Sequence, residues 1–349
     1  MRPCKAGSSP PSVALRPRVA ARSPVAAYRG RRVASDVAPL TNGPGRTLKF
    51  GVMPRISLPS HLPIMRAFAV LTLILVLRSS TEPQAPLQPD VRIYKRIGTT
   101  TLNTYIFMPG GPVNATPRAA IVLLHGGGWS TGSPEWMHDD AKRYAGLGMV
   151  AIAGEYRLSD QKSVTPLDSM EDVRDLIRWV RTKATELFVN PHRIAAYGIS
   201  AGGHLALSAA VFPHTEEDRT SAVPDMLILI SPPVSLLNDK WPQLLLGKRT
   251  EAKTVSPAEN VTQRLPPIVI IEGAADTVTP PLASRRFCDW AKQLGGSCEL
   301  NLYPKLGHIL SRNLDPRAQE EGPFDPDPDA VRDAHAKEEA FLRRGGFLR

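Results

Sequence analysis

The chain has 349 residues, a formal net charge of +10 and only three cysteines. The first 66 residues carry 12 Lys and Arg side chains and one acidic side chain, so the rest of the chain sums to about −1. The positive net charge therefore belongs to the leader. It gives no reason to expect that the folded part binds nucleic acid. No zinc-type cysteine spacing is present, and nothing in the pattern calls for a metal.

Residues 1–64 are predicted to be a disordered basic leader, because most of them are Arg, Pro, Ala and Ser without an apolar period. From Met65, one arginine precedes eleven apolar or weakly polar residues, 67–77, and a polar stretch follows. Eleven residues are too few to span a bilayer but suit the core of a signal peptide. We therefore predict a signal peptide over residues 65–81 and a secreted or periplasmic protein with no stable membrane partner after its removal.

On this interpretation translation starts at Met65 or Met53, and the preceding residues are an artefact of an upstream start. The alternative is a short uncleaved anchor or a segment that lies on a membrane surface. No cysteine follows the apolar core, which argues against a lipoprotein.

Residues 86–349 suit a single α/β domain. A leading hairpin is predicted at 91–98 and 101–108, followed by strands at 119–124, 149–154, 193–197, 226–230, 267–271 and 298–303. Helical stretches alternate with these strands, the clearest at 167–188, with apolar residues in 3-4-3 spacing, and the last at 328–344. The alternation predicts a mostly parallel central sheet of about eight strands flanked by helices.

Two glycine-rich motifs follow predicted strands. Three consecutive glycines, Gly126 to Gly128, close the run 119–124 and leave backbone amides free to face a bound oxygen, although a flexible turn is the simpler interpretation of glycines alone. Downstream, Ser200 stands in a Gly-x-Ser-x-Gly pattern between a strand and a helix-like run. That pattern is typical of the tight turn that presents a nucleophilic serine.

Two further polar residues follow the serine, each in a loop after a predicted strand. Asp276 comes after the strand at 267–271, and His308 comes after the strand at 298–303. The carboxyl ends of parallel strands are where open α/β sheets place their working residues. Asp160 and Asp168 precede the serine and are interpreted as a turn residue and a helix N-cap.

Together these motifs resemble the α/β-hydrolase esterases of the acetyl-esterase and feruloyl-esterase-like group, relatives of the hormone-sensitive-lipase-like carboxylesterases. The resemblance covers residues 93–348 and rests on HGGGW at 125–129, YRLS at 156–159, GISAGGHLA at 198–206, GAADTVTP at 273–280 and LGH at 306–308. It implies the α/β-hydrolase fold, with Ser200 as nucleophile, His308 as base and Asp276 as acid. One departure is Ile199, where many hormone-sensitive-lipase-like members carry Asp.

The resemblance further implies that the amides of Gly127, Gly128 and Ala201 form an oxyanion hole. The expected function is hydrolysis of short-chain carboxylic esters, of acetyl type, through an acyl-serine intermediate, without metal or organic cofactor. The expected substrate is a small-molecule or carbohydrate ester. A formamidase of the kynurenine-formamidase type is the alternative, because the triad does not set the leaving group. A non-catalytic binding module is disfavoured because every triad member is present.

Residues 232–265 lose the regular pattern and are predicted to be a small lid over the site. Trp129 and Trp241 are candidates for the substrate pocket, with packing in the core as the alternative for each. His125 and His204 are interpreted as structural. Cys288 and Cys298 could pair in an oxidising compartment, but two buried free thiols are the simpler expectation.

Overall fold

An eight-stranded sheet organises the described part of this computed structural model, which comprises residues 88–110, 116–212 and 220–349. The strands are β1 Asp90–Ile97, β2 Thr100–Phe107, β3 Arg118–Leu124, β4 Val150–Gly154, β5 Val189–Ile199, β6 Met226–Ile230, β7 Ile268–Gly273 and β8 Cys298–Tyr303. Their order is β1-β2-β4-β3-β5-β6-β7-β8. Only β2 runs in the direction opposite to the other seven strands, so the predicted mostly parallel sheet is confirmed. The predicted leader and signal peptide lie outside the described residues.

Helices cover both faces of the sheet. They are α1 His138–Gly146, α2 Pro166–Thr182, α3 Ala201–Val211, α4 Lys240–Leu246, α5 Pro257–Asn260, α6 Pro281–Gln293, α7 Pro316–Glu321 and α8 Pro328–Arg344. Helices α2, α3 and α6 pack on one face, and α1 and α8 on the other. Within the described ranges no helix has the length and apolarity needed to cross a membrane.

Strand β3 shows why the core has two layers. Val122 and Leu124 join the cluster around α2 and α3, whereas Ile121 and Leu123 join the cluster around α1 and α8. Successive side chains of a strand point to opposite faces, so a strand covered on both sides is a continuous apolar run. This explains the AAIVLL sequence that precedes the triple glycine.

For the helix predicted at 167–188, the buried face was predicted correctly but the C-terminal end was not. Met170, Val173, Ile177 and Val180 are at most 4% exposed, as expected for a face turned to the core. The helix nevertheless ends at Thr182. The backbone must change direction before it enters β5. This change occurs at Phe188, which has a φ of 55° and an exposed side chain. The final helix, Pro328–Arg344, is as predicted.

The expectation of two free thiols is wrong, because Cys288 and Cys298 form a disulfide. Cys288 lies on the buried face of α6, and Cys298 is the first residue of β8. Both are 2% exposed, and their Cα atoms are 5.2 Å apart, a usual separation for a disulfide. The sequence did not reveal that α6 turns this cysteine toward the neighbouring strand.

Candidate active site

Ser200 occupies a sharp turn between β5 and α3, with φ 52° and ψ −121°. A residue with a side chain rarely adopts these backbone angles, so contacts with the surrounding backbone must hold Ser200 in this conformation. The Ser200 amide donates to the Ile230 carbonyl at 2.8 Å. A Cβ atom on Gly198 would lie 2.3 Å from the Gly202 carbonyl oxygen, so the turn closes only around a glycine. This is the geometry of a nucleophile elbow.

Three side chains distant in the sequence form one hydrogen-bonded chain. Nε2 of His308 lies 3.0 Å from Oγ of Ser200, and Nδ1 of His308 lies 2.8 Å from Oδ2 of Asp276. His308 is 3% exposed and Asp276 is 4% exposed. The residues follow β5, β7 and β8, whose parallel carboxyl ends share one edge of the sheet. The structure therefore brings together the three residues that the sequence singled out.

The loop after β7 keeps Asp276 charged and oriented. Its Oδ1 accepts from the amides of Val278 and Thr279, and its Oδ2 accepts from the Thr279 hydroxyl. Burial alone would raise the pKa of Asp276, but its interaction with His308 and its hydrogen bonds from Thr279 outweigh burial and lower the pKa below its usual value. An ionised Asp276 holds the proton of the imidazole on Nδ1, which leaves Nε2 free to accept one from serine.

Gln319 was not predicted from the sequence, yet it joins the two loops that carry Asp276 and His308. Its Oε1 accepts from the amide of Thr277 at 3.1 Å and from the amide of His308 at 3.0 Å. Gln319 is 1% exposed on α7, and a Cβ on Gly307 would lie only 2.5 Å from its Oε1. The signals for α7 were available in Asp315, which caps the helix, and the proline after it. No sequence signal showed where the glutamine side chain would point.

The glycine loop after β3 holds its own first two carbonyls. The Gly126 carbonyl accepts from Nδ1 of His125 at 2.7 Å. The Gly127 carbonyl accepts from the amides of Ser130 and Thr131 and from the Thr131 hydroxyl, at 2.9 to 3.2 Å. In a trans peptide the N–H points opposite to the C=O. Fixing these carbonyls therefore fixes the directions of the amides that follow them.

The amides expected to form the oxyanion hole are available for that role. Across the described residues, neither Gly127 nor Gly128 donates a backbone hydrogen bond. Ala201 is the first residue of α3, where an amide has no acceptor within the helix. The loop packs closely on the serine, since a Cβ on Gly126 would lie 3.3 Å from Cβ of Ser200. Free amides beside a nucleophile can stabilise a developing oxyanion.

Two buried histidines near the site make structural contacts. Burial lowers the pKa of both His125 and His204 to about 4, so both are neutral at pH 7. Nε2 of His204 donates to the Val255 carbonyl, and its Nδ1 accepts from the indole of Trp129 at 3.3 Å. Tyr156 donates to the His125 carbonyl at 2.8 Å. These bonds connect the glycine loop to α3 and to the segment 232–265.

A cavity of about 1450 Å³ opens above Ser200 and His308. The segment 232–265, which contains α4 and α5, supplies part of its wall, including Trp241. Trp129 also borders the cavity, but it is 2% exposed and packs with the core. Three exposed leucines, Leu237, Leu244 and Leu282, contribute apolar surface to the cavity; their exposed fractions are 41%, 47% and 57%.

Two buried carboxylates outside the triad, Asp172 and Glu338, are paired with cations. Asp172 accepts from Lys95 and Arg157 at 2.7 Å each, and Glu338 accepts from Arg143 at 2.5 Å. These pairs attach α2 and α8 to the rest of the fold. Within residues 88–110, 116–212 and 220–349, no group of three or more His, Cys, Asp or Glu side chains could hold a metal ion.

Comparison with known proteins places the chain among esterases. The BD-FAE family model matches residues 106–225. Esterase 2 of Thermogutta terrifontis is 34% identical over 76% of this chain and 97% of its own, with a TM-score of 0.66. Other structures of that esterase carry bound propionate, bound butyrate or a phosphoryl group from paraoxon.

Several curated relatives are also ester hydrolases. Carboxylesterase NlhH of Mycobacterium tuberculosis is 34% identical over 34% of this chain and 38% of its own length. Ethyl acetate hydrolase of Pseudomonas putida is 28% identical over 64% of this chain and 75% of its own length. The chain thus spans well under half of NlhH.

Substituting Gly202 should disrupt the elbow. A Cβ there would lie 2.3 Å from the Leu124 carbonyl oxygen and 2.5 Å from that of His125, both backbone atoms. We expect Gly202→Ala to lower the free energy of unfolding by about 3 kcal/mol or more, as measured by urea denaturation. Gly146→Ala is the matched control, because nothing lies within 4 Å of its Cβ, and it should change stability by less than about 1 kcal/mol. Equal effects of the two substitutions would contradict this account of the turn.

Glu272, at the end of β7, should make stability depend on pH. Burial, with repulsion from Asp276, raises the pKa of Glu272 to about 9. Between about pH 4.5, its ordinary pKa, and pH 9, the folded protein holds a proton that the unfolded chain releases. Stability from this group therefore falls as the pH rises through that window.

The free energy of unfolding of Glu272→Gln should not fall in this way. We therefore expect the stability of the variant relative to the unsubstituted protein to rise by at least about 1.4 kcal/mol from pH 5 to pH 8. Urea denaturation at several pH values measures this gain. Glu320→Gln, at an exposed position on α7, controls for the substitution itself. Parallel stability profiles of Glu272→Gln and the unsubstituted protein would show that Glu272 does not titrate in this way.

Proposed function

Since this chain belongs to the α/β-hydrolase serine esterases, a family of carboxylic ester hydrolases, we propose that it cleaves short-chain carboxylic esters through an acyl-serine intermediate on Ser200. One observation carries the proposal: the hydrogen-bonded chain from Asp276 through His308 to Ser200, at 2.8 and 3.0 Å. A neutral serine is a poor nucleophile, and this row of hydrogen bonds places a base, His308, within reach of it.

Acylation begins when Oγ of Ser200 attacks the ester carbonyl carbon. Nε2 of His308 takes the serine proton, and the electron pair of the C=O bond moves onto the carbonyl oxygen. The amides of Gly127, Gly128 and Ala201 stabilise that oxyanion. When the tetrahedral intermediate collapses, the bond to the alcohol oxygen breaks, and His308 delivers the proton to the departing alcohol.

Deacylation repeats these steps with water. His308 removes a proton from the water molecule as its oxygen attacks the acyl carbon, and the same amides stabilise the second oxyanion. Collapse releases the carboxylic acid and returns the proton to Oγ of Ser200. Asp276 stays ionised throughout and stabilises the imidazolium that forms twice in each cycle.

The acyl group is proposed to be short. Esterase 2 of T. terrifontis binds propionate and butyrate, and the P. putida relative is an ethyl acetate hydrolase. For the alcohol, the exposed Leu237, Leu244 and Leu282 favour an alkyl or aryl group, because burying them against a sugar would gain little. The apolar surface gives no support to the expectation of a carbohydrate ester.

Secretion is also proposed. The described residues do not include the signal peptide predicted at 65–81. The Cys288–Cys298 disulfide supports an oxidising compartment, because such bonds are rare in cytosolic proteins.

A p-nitrophenyl ester series from acetyl to octanoyl tests this function. We expect turnover to be highest from acetyl to butyryl, and Ser200→Ala to lower kcat by at least about 10⁴-fold because the nucleophile is lost. Ser163→Ala is the matched control, since Ser163 is an exposed serine in a turn. Steady-state kinetics with purified, folded protein give both values.

Ester turnover that survives in Ser200→Ala would contradict the assigned nucleophile. A folded protein that leaves every ester intact but hydrolyses aryl formamides would instead identify a formamidase.

A further inference from the structure

Trp241 stands on a firmly anchored part of the segment 232–265. It is the second residue of α4, and its amide donates to Oδ1 of Asp239, which caps the helix. Leu245 and Leu246 of the same helix are 1% exposed and belong to the core cluster around α2 and α3. The position of the indole is therefore set by the core and by the helix cap.

The indole N–H of Trp241 donates to the carbonyl of Gly128 at 2.9 Å. This bond connects residues 113 positions apart. Gly128 has a φ of 58° and Trp129 a φ of 60°, so two successive residues adopt the left-handed conformation at this point. A glycine has a wide choice of backbone angles, so a hydrogen bond to its carbonyl restricts the conformation that it adopts.

The three carbonyls of the glycine loop are thus held in different ways. His125 holds that of Gly126, and Thr131 holds that of Gly127, both from within the same loop. Trp241 holds that of Gly128 from the segment 232–265. The Gly128 amide belongs to the preceding peptide, whose carbonyl is held by Thr131. Releasing the peptide after Gly128 would free the left-handed backbone at Gly128 and Trp129, and the end of the loop, with the Gly128 amide, would shift away from the oxyanion.

We propose that Trp241 is a positioning residue for the oxyanion hole: its indole N–H fixes the peptide after Gly128 and so couples the segment 232–265 to transition-state stabilisation. The inference rests on the proposed ester hydrolysis and deepens it. Its consequence is that α4 contributes to the rate of the chemical step as well as to the cavity wall.

Trp241→Phe tests the inference, because it removes the N–H donor and keeps an aromatic ring. Oxyanion contacts act on the transition state, so we expect kcat and kcat/KM for p-nitrophenyl butyrate to fall together, by about five- to tenfold, with KM unchanged. Affinity for a trifluoromethyl ketone, which forms a tetrahedral adduct with the serine, should fall by a similar factor. Titration with paraoxon to completion counts active sites, so kcat refers to folded enzyme only.

Trp290→Phe is the matched control. Trp290 borders the same cavity, and its indole also donates to a backbone carbonyl of the segment 232–265, that of Val261 at 3.0 Å, but this acceptor lies outside the glycine loop. We expect it to change kcat by less than twofold and to leave ketone affinity unaltered.

A raised KM with unchanged kcat in Trp241→Phe would overturn the inference and reduce Trp241 to a wall of the cavity. Unchanged ketone affinity would overturn it as well. These outcomes are distinct from failure of the proposed function, in which the unsubstituted protein itself would hydrolyse no ester.

Discussion

The sharp turn at Ser200 is the constraint on which the rest of the site depends. A serine with a φ of 52° lifts its hydroxyl out of the line of β5, but this conformation is unfavourable in isolation. It is held because Gly198 and Gly202 let the flanking backbone segments approach more closely than any side chain would allow. Gly202 also brings the start of α3 against the end of β3, the strand that leads into the glycine loop.

The same close approach sets the relation between nucleophile and oxyanion hole. Because β3 and β5 are neighbours in the sheet, the loop after one strand and the elbow after the other meet at one edge. Each element is held mainly by backbone groups: the Ile230 carbonyl at the elbow, and the carbonyl bonds within the glycine loop. Such a site is organised before substrate arrives, so little reorganisation is needed when charge develops.

The residues that carry chemistry could be predicted because each follows a recognisable strand of the parallel sheet: β7 is fully buried, β5 is buried over its second half, and the edge strand β8 is half-buried. In a parallel sheet this placement determines that Ser200, Asp276 and His308 share an edge, even before any distance is known. The central strands were recognisable from continuous apolar runs, since both faces of the sheet are covered there.

The features that sequence reasoning missed depend on side-chain direction across the fold. The amide of Gln319, the indole of Trp241 and the thiol of Cys288 each meet a partner on another element. Spacing along the chain gives the face of a helix, but it does not say which loop lies opposite. The end of α2 was missed for a related reason, because the entry into β5 requires a turn that helical periodicity does not reveal.

The most direct test of the central claim is to locate the acyl group during turnover. Protein mixed with p-nitrophenyl butyrate and quenched in acid within the first turnover should carry one butyryl group, which peptide mass spectrometry places on Ser200. A butyryl group on another residue, or steady hydrolysis with no covalent adduct at any quench time, would contradict the acyl-serine mechanism.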